Sequence, residues 1–139
     1  MTDRKIPYVY TRGTRKLGGH KELVTGIDGN PFIQAGTRPL VIEELVNFAQ
    51  STCNSVLGLR ELGFPAENGA TILHYHNPEA LKHLEETGVS VVELTSLPRL
   101  LEVAEESGRF SHRAVKSYQD FLINPAKWQT DRGLAPREI

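Results

Sequence analysis

Arg38-Pro39-Leu40-Val41-Ile42-Glu43-Glu44-Leu45-Val46-Asn47-Phe48-Ala49-Gln50-Ser51 is the stretch that decides the fold. Leu40, Val41 and Ile42 form an aliphatic run without alternation, the pattern of a strand buried on both faces. Glu43 and Glu44 follow at once, where that strand is expected to end. A short polar loop then leads to Ser51, a residue type suited to capping a helix. In open parallel sheets, ligands bind beyond the carboxyl ends of the strands. The pattern therefore sets two adjacent acids at the expected ligand edge.

Downstream of this anchor, strands and helices alternate. Ser51 to Leu62 reads as a helix with Val56, Leu59 and Leu62 on one side and Gly63 as its stop. A strand is expected over residues 70–76, Ala70-Thr71-Ile72-Leu73-His74-Tyr75-His76. Asn77-Pro78 supplies an N-cap and a first-turn proline for the next helix, with Leu81 and Leu84 inward and Gly88 at its end. Val89 to Leu94 reads as a further strand. Ser96 caps a helix carrying Leu97, Leu100, Leu101 and Ala104, which Gly108 ends. Ser111 caps a last helix with Val115, Tyr118, Phe121 and Leu122, broken at Asn124-Pro125. From Lys127 the chain has no hydrophobic period, so residues 125–139 read as a tail, disordered or docked elsewhere through Trp128, on a domain spanning residues 1–124.

Upstream, Lys5 to Thr11 has strand composition. Arg12 to Lys21 is basic and glycine-bearing, and reads as a surface loop. Leu23 to Ile27 resumes as a short strand, Asp28-Gly29-Asn30-Pro31 is a turn, and Phe32 to Gln34 is the expected hairpin return. The whole order implies an α/β fold with a mostly parallel sheet flanked by helices.

Bulk properties narrow the class. With 139 residues, one domain is expected. A net charge of −1 gives no reason to expect nucleic acid or an anionic membrane as partner. The single cysteine, Cys53, excludes an internal disulfide and fits a reducing compartment. The polar start, Met1 to Lys5, has no apolar run after it, so no secretory signal is expected and cytoplasm is the expected location.

The anchor resembles the ribose-phosphate motif of type I phosphoribosyltransferases, in which aliphatic residues lead into two acids and a Thr-Ser-Gly phosphate loop. The order of elements is similar to the C-terminal two-thirds of orotate phosphoribosyltransferases. Arg12 to Gly26 resembles that family's catalytic loop, ending in Leu23-Val24-Thr25-Gly26. The resemblance implies a Rossmann-like phosphoribosyltransferase fold. It implies Lys16 as the catalytic-loop lysine that stabilises pyrophosphate, and Glu43 and Glu44 as ligands of the ribose hydroxyls. Asn47, Gln50 and Ser51 take the phosphate loop, and His76 stands at the ligand edge. It also implies Mg²⁺ with phosphoribosyl pyrophosphate if the chain is active in pyrimidine synthesis.

Departures from the family fall on chemistry. Gly13 replaces the first loop lysine, Asn47-Phe48-Ala49 replaces Thr-Ser-Gly, and Tyr75-His76 replaces the Asp-Arg that holds orotate. The family's N-terminal hood and pyrophosphate-binding segment are not expected in this chain. A phosphate loop works by presenting backbone N–H groups at close approach, which side chains at Phe48 and Ala49 obstruct. Losing one preorganised donor costs about 3–4 kcal/mol at the transition state. The resulting expectation is a non-catalytic binding or assembly subunit, a homodimer or part of a protein complex, with residual ribose-phosphate or nucleotide binding. The alternative is an active transferase completed by a partner chain.

Two further groups carry weaker readings. His74 and His76 lie two apart on a strand and share a face, which allows a metal pair with Glu43 or Glu44 approaching from the next strand. No further ligand sits at short spacing, so no metal is assigned and His76 is read as a hydrogen-bonding group. Cys53 reads as a small buried residue. Tyr8, Tyr10 and Phe32 suggest an exposed patch at a sheet edge, where a partner or a second copy is expected.

Overall fold

The computed structural model describes residues 6–12 and 24–134. Its centre is a three-stranded parallel sheet of β3 (Leu40–Val46), β4 (Asn68–His74) and β5 (Ser90–Ser96), in that spatial order. The register pairs Ile42 with Ala70 and Ala70 with Val92. Helices α1 (Gln50–Glu61) and α2 (Pro78–Thr87) make the two crossovers. With strands added in one direction and right-handed crossovers, both helices cover the same face. Upstream, β1 (Tyr10–Thr11) and β2 (Val24–Thr25) form a two-residue antiparallel pair. The strands expected over Lys5–Thr11 and Leu23–Ile27 are thus shorter, and Phe32 to Gln34 forms turns instead of a hairpin strand.

The anchor strand differs from expectation in two ways. It runs through both acids to Val46, so Glu43 and Glu44 lie inside β3. Its burial is also uneven: Val41 on the helix-covered face and Val46 at the carboxyl end are buried, whereas Leu40 is 53% and Ile42 75% exposed. The pattern is that of a strand made for cover on both sides. The crossover helices supply one cover; on the other face Val46 and His74 are buried at the carboxyl end, and Leu40, Ile42, Ile72, Val92 and Leu94 are exposed.

The covered face is close-packed. Val41, Cys53, Val56, Leu59, Ala80 and Leu84 belong to one buried cluster. Gly69 makes room for its cross-strand neighbour: a Cβ there would lie 3.2 Å from Val91 Cγ2 of β5, and at an ordinary 3.8 Å from Thr52 Cγ2 of α1. Ala80 and Leu84 form the inner stripe of α2, and Leu81, expected inward, is exposed. Leu62, expected on the inner side of α1, is exposed as well.

Local chemistry accounts for the helix ends. Asn77, Ser96 and Ser111 accept from the amides of Ala80, Arg99 and Ala114, capping α2, α3 (Leu97–Ser107) and α4 (His112–Ile123). After α1, the Phe64 amide bonds Leu59 O and the Gly63 amide bonds Arg60 O, a paired closure that Gly63 permits at φ 84°. Arg60 then ties the end of α1 to its surroundings, donating to the carbonyls of Ala66, Thr87 and Gly88.

Residues 125–134, read from the sequence as part of a tail, are folded onto α4. Pro125–Thr130 forms α5, and Trp128 meets Phe121 of α4 edge-on at 5.4 Å. Trp128 Nε1 and Arg132 both donate to Ser117 Oγ, and the Arg132 guanidinium stacks 4.0 Å over the indole. Phe121 also meets Tyr75 edge-on at 6.2 Å, which joins α4 to the end of β4. No helix among the described residues is long and apolar enough to cross a membrane.

Candidate functional site

Glu43 and Glu44 are consecutive residues of β3, so their side chains leave on opposite faces of the sheet. Glu43 shares the helix-covered face with Val41, and Glu44 shares the bare face with Ile42. The adjacent pair expected beyond the strand end is therefore divided between the two faces.

The loop after β3 is built by α2. Asn77 is fully buried; its Oδ1 accepts from the Ala80 amide at 2.8 Å. Its Nδ2 donates to the Asn47 backbone carbonyl and, at 3.0 Å, to Asn47 Oδ1. His83 Nδ1 lies 2.9 Å from Phe48 O, and Cys53 Sγ lies 3.5 Å from His83 O. The loop is thereby tied to α2 through its carbonyl oxygens. Ala49 takes the N-cap position of α1 at φ 61° with its side chain buried, and no side chain caps that helix. Ser51, expected as the cap, lies one residue inside the helix. Gln50 and Ser51 are exposed at this open N-terminus, where free backbone amides favour negative charge.

His76 belongs to a second cluster. Its Nε2 lies 2.7 Å from Glu93 Oε2 of β5, and its backbone N–H donates to His74 Nδ1 at 2.8 Å. The two imidazole rings meet edge-on with centroids 4.5 Å apart. His74 is 2% exposed, and burial pushes its pKa below the ordinary histidine value; His76 adds to that and Glu93 opposes it. His76 adopts φ 55°, unusual for a residue with a side chain. Strand residues 70–76 were expected; β4 ends at His74, and the reversal at His76 brings its ring back to Glu93.

Lys16 and most of the basic loop lie outside the described residues. Of the expected site residues, Asn47, Gln50 and Ser51 gather at the start of α1, and His76, next to the Asn77 that bonds Asn47, pairs with His74 and Glu93. Sequence reasoning did not find Asn77, His83 and Glu93 as partners of the site. Asn77 had a signal, the Asn-Pro helix start, but its second hydrogen bond is tertiary.

Parallel strands in sequential order, a strand-to-helix loop at their carboxyl end and an open helix N-terminus define an open α/β domain and fit the phosphoribosyltransferase type. The comparisons agree. Orotate phosphoribosyltransferase of Listeria monocytogenes is 29% identical over 123 residues, covering 88% of this chain and 56% of that protein. That of Roseobacter denitrificans is 30% identical over 125 residues, covering 89% and 53%. The structure of Leishmania donovani UMP synthase superposes with a TM-score of 0.60 at 18% identity, over 75% of this chain and 22% of that one, a likeness of fold. No family model matches the chain. Along most of its length the chain is similar to curated orotate phosphoribosyltransferases, and its fold is like that of the UMP synthase. It spans about half the length of the curated relatives it matches.

Proposed function

We propose that this chain is a binding and assembly subunit on an orotate phosphoribosyltransferase-type fold, without turnover of its own, and that it self-associates through the bare sheet face. The observation that carries this reading is the set Leu40, Ile42, Ile72, Val92 and Leu94, which the strand register places on one face at 53–83% exposure. Together these side chains make a largely apolar face, bordered by Glu44, of the kind that marks an interaction surface. Tyr8, Tyr10 and Phe32 are also exposed and extend the apolar surface upstream.

Three features of the loop favour binding over catalysis. Its carbonyls are tied to α2, its Ala49 side chain fills the turn, and the two acids diverge. In the enzyme reading, Glu43 and Glu44 hold the ribose hydroxyls of phosphoribosyl pyrophosphate with Mg²⁺, Lys16 stabilises pyrophosphate, and a partner chain completes the site. The open N-terminus of α1 favours a residual version, in which Gln50, Ser51 and Asn47 retain a ribose phosphate beside His76.

Thermal unfolding with phosphoribosyl pyrophosphate plus Mg²⁺ separates these readings. Ligand at about 100 times its dissociation constant adds roughly 2.7 kcal/mol of stability. A shift without product supports the residual-binding version, and no shift leaves assembly alone. Orotidine monophosphate formed by the purified chain would overturn the proposal.

A further inference from the structure

His74, His76 and Glu93 gather at the end of β4 for reasons the phosphate loop does not explain. One nitrogen from each imidazole and one Glu93 oxygen all lie within 4.8 Å of one another. We infer that these three side chains form a binding site for a divalent transition ion of the Zn²⁺ type.

The donor set selects the ion. Two imidazoles and one carboxylate suit Zn²⁺, and three protein ligands leave a fourth position for water. Mg²⁺ and Ca²⁺ prefer all-oxygen shells, so nitrogen donors disfavour them. His74 is buried and already held, whereas the side chains of His76 and Glu93 are 39% and 26% exposed. One fixed ligand and two reachable ones give an ion both an anchor and a path in.

The adjustment needed is local. Zinc–ligand bonds of about 2.0–2.2 Å set neighbouring donors roughly 3.3 Å apart on a tetrahedron. The His76–Glu93 contact, 2.7 Å without metal, opens by about half an ångström, and the widest pair draws in.

This inference is independent of the assembly proposal, because a monomer would bind the ion equally. The test is isothermal titration of untagged, EDTA-treated and dialysed protein with ZnSO₄, with Mg²⁺ as the comparison ion. One Zn²⁺ per chain is expected, with no Mg²⁺ heat. His76→Ala and Glu93→Gln should each weaken Zn²⁺ at least tenfold, while His112→Ala, at an exposed histidine paired with Glu105 on another helix, should not. Unfolding curves in EDTA show whether each variant is folded. If His76→Ala is not, Glu93→Gln alone decides, since it preserves shape. No Zn²⁺ binding, or binding that both ligand variants leave unchanged, would overturn the assignment.

Discussion

Replacing Asn77 should loosen the anchor loop and the start of α2 together. Asn77 is fully buried and works at both ends of its amide, accepting from Ala80 N and donating to Asn47. In Asn77→Ala the helix loses its N-cap, at about 1 kcal/mol. The buried Asn47 carbonyl loses its donor, at about 1–3 kcal/mol. The combined loss is about 2–4 kcal/mol, a large part of the roughly 5–15 kcal/mol that holds a typical domain. Asn77→Ser separates the two effects: serine caps well but is too short to reach Asn47. It should cost about 1–3 kcal/mol, less than alanine by the value of the cap. Urea unfolding with linear extrapolation reads both variants. A serine variant as stable as the parent would refute the tether, and an alanine variant within about 0.5 kcal/mol of the parent would refute the whole role.

Other positions give sharper, smaller tests. Arg60→Met should cost about 1–3 kcal/mol in urea, because the carbonyls of Ala66, Thr87 and Gly88 lose a shared charged donor; a neutral result would mean water replaces it. Gly69→Ala should destabilise by about 1–3 kcal/mol, since its Cβ would stand 3.2 Å from Val91 Cγ2, and Val91→Ala in the same chain should recover part of the loss. Leu59→Ala, at 3% exposure in the α1 core, should cost about 2–5 kcal/mol, whereas Leu57→Ala, 47% exposed on the same helix, should cost far less; equal losses would contradict the assigned inner face.

Much of this fold is legible because its signals are local. Asn77-Pro78, Ser96 and Ser111 name their caps within four residues, and Gly88 and Gly108 stop their helices in the left-handed region. The aliphatic run at Leu40 marks a strand for the same reason. What it does not reveal is which face is covered, since that depends on where the crossover helices lie. Ser51 looks like a cap, but Ala49 in a left-handed turn starts the helix earlier, a conformation no alanine advertises. Helix α5 has six residues, too few for a period to show. In the candidate site, Asn47 was found and its partner's second bond was not. Strand alternation was expected to set His74 and His76 on one face; the strand ends at His74, the turn at His76 brings the rings together, and the acid beside them is Glu93 of β5 instead of Glu43 or Glu44 of β3. Periodicity places side chains along one strand; the contact between strands is decided by the reversal at His76.

The central claim is that the bare face of the sheet is an interface. Sedimentation equilibrium of the purified chain over a wide concentration range, beside Leu94→Glu and Ile72→Glu, tests it most directly. Both residues lie on that face at 83% and 57% exposure, so neither change should unfold the domain, which circular dichroism verifies. The account predicts reversible self-association of the parent chain and monomers for both variants, because each partner would have to bury an unpaired carboxylate. A parent chain that remains monomeric throughout, or variants that associate as strongly as the parent, would contradict it.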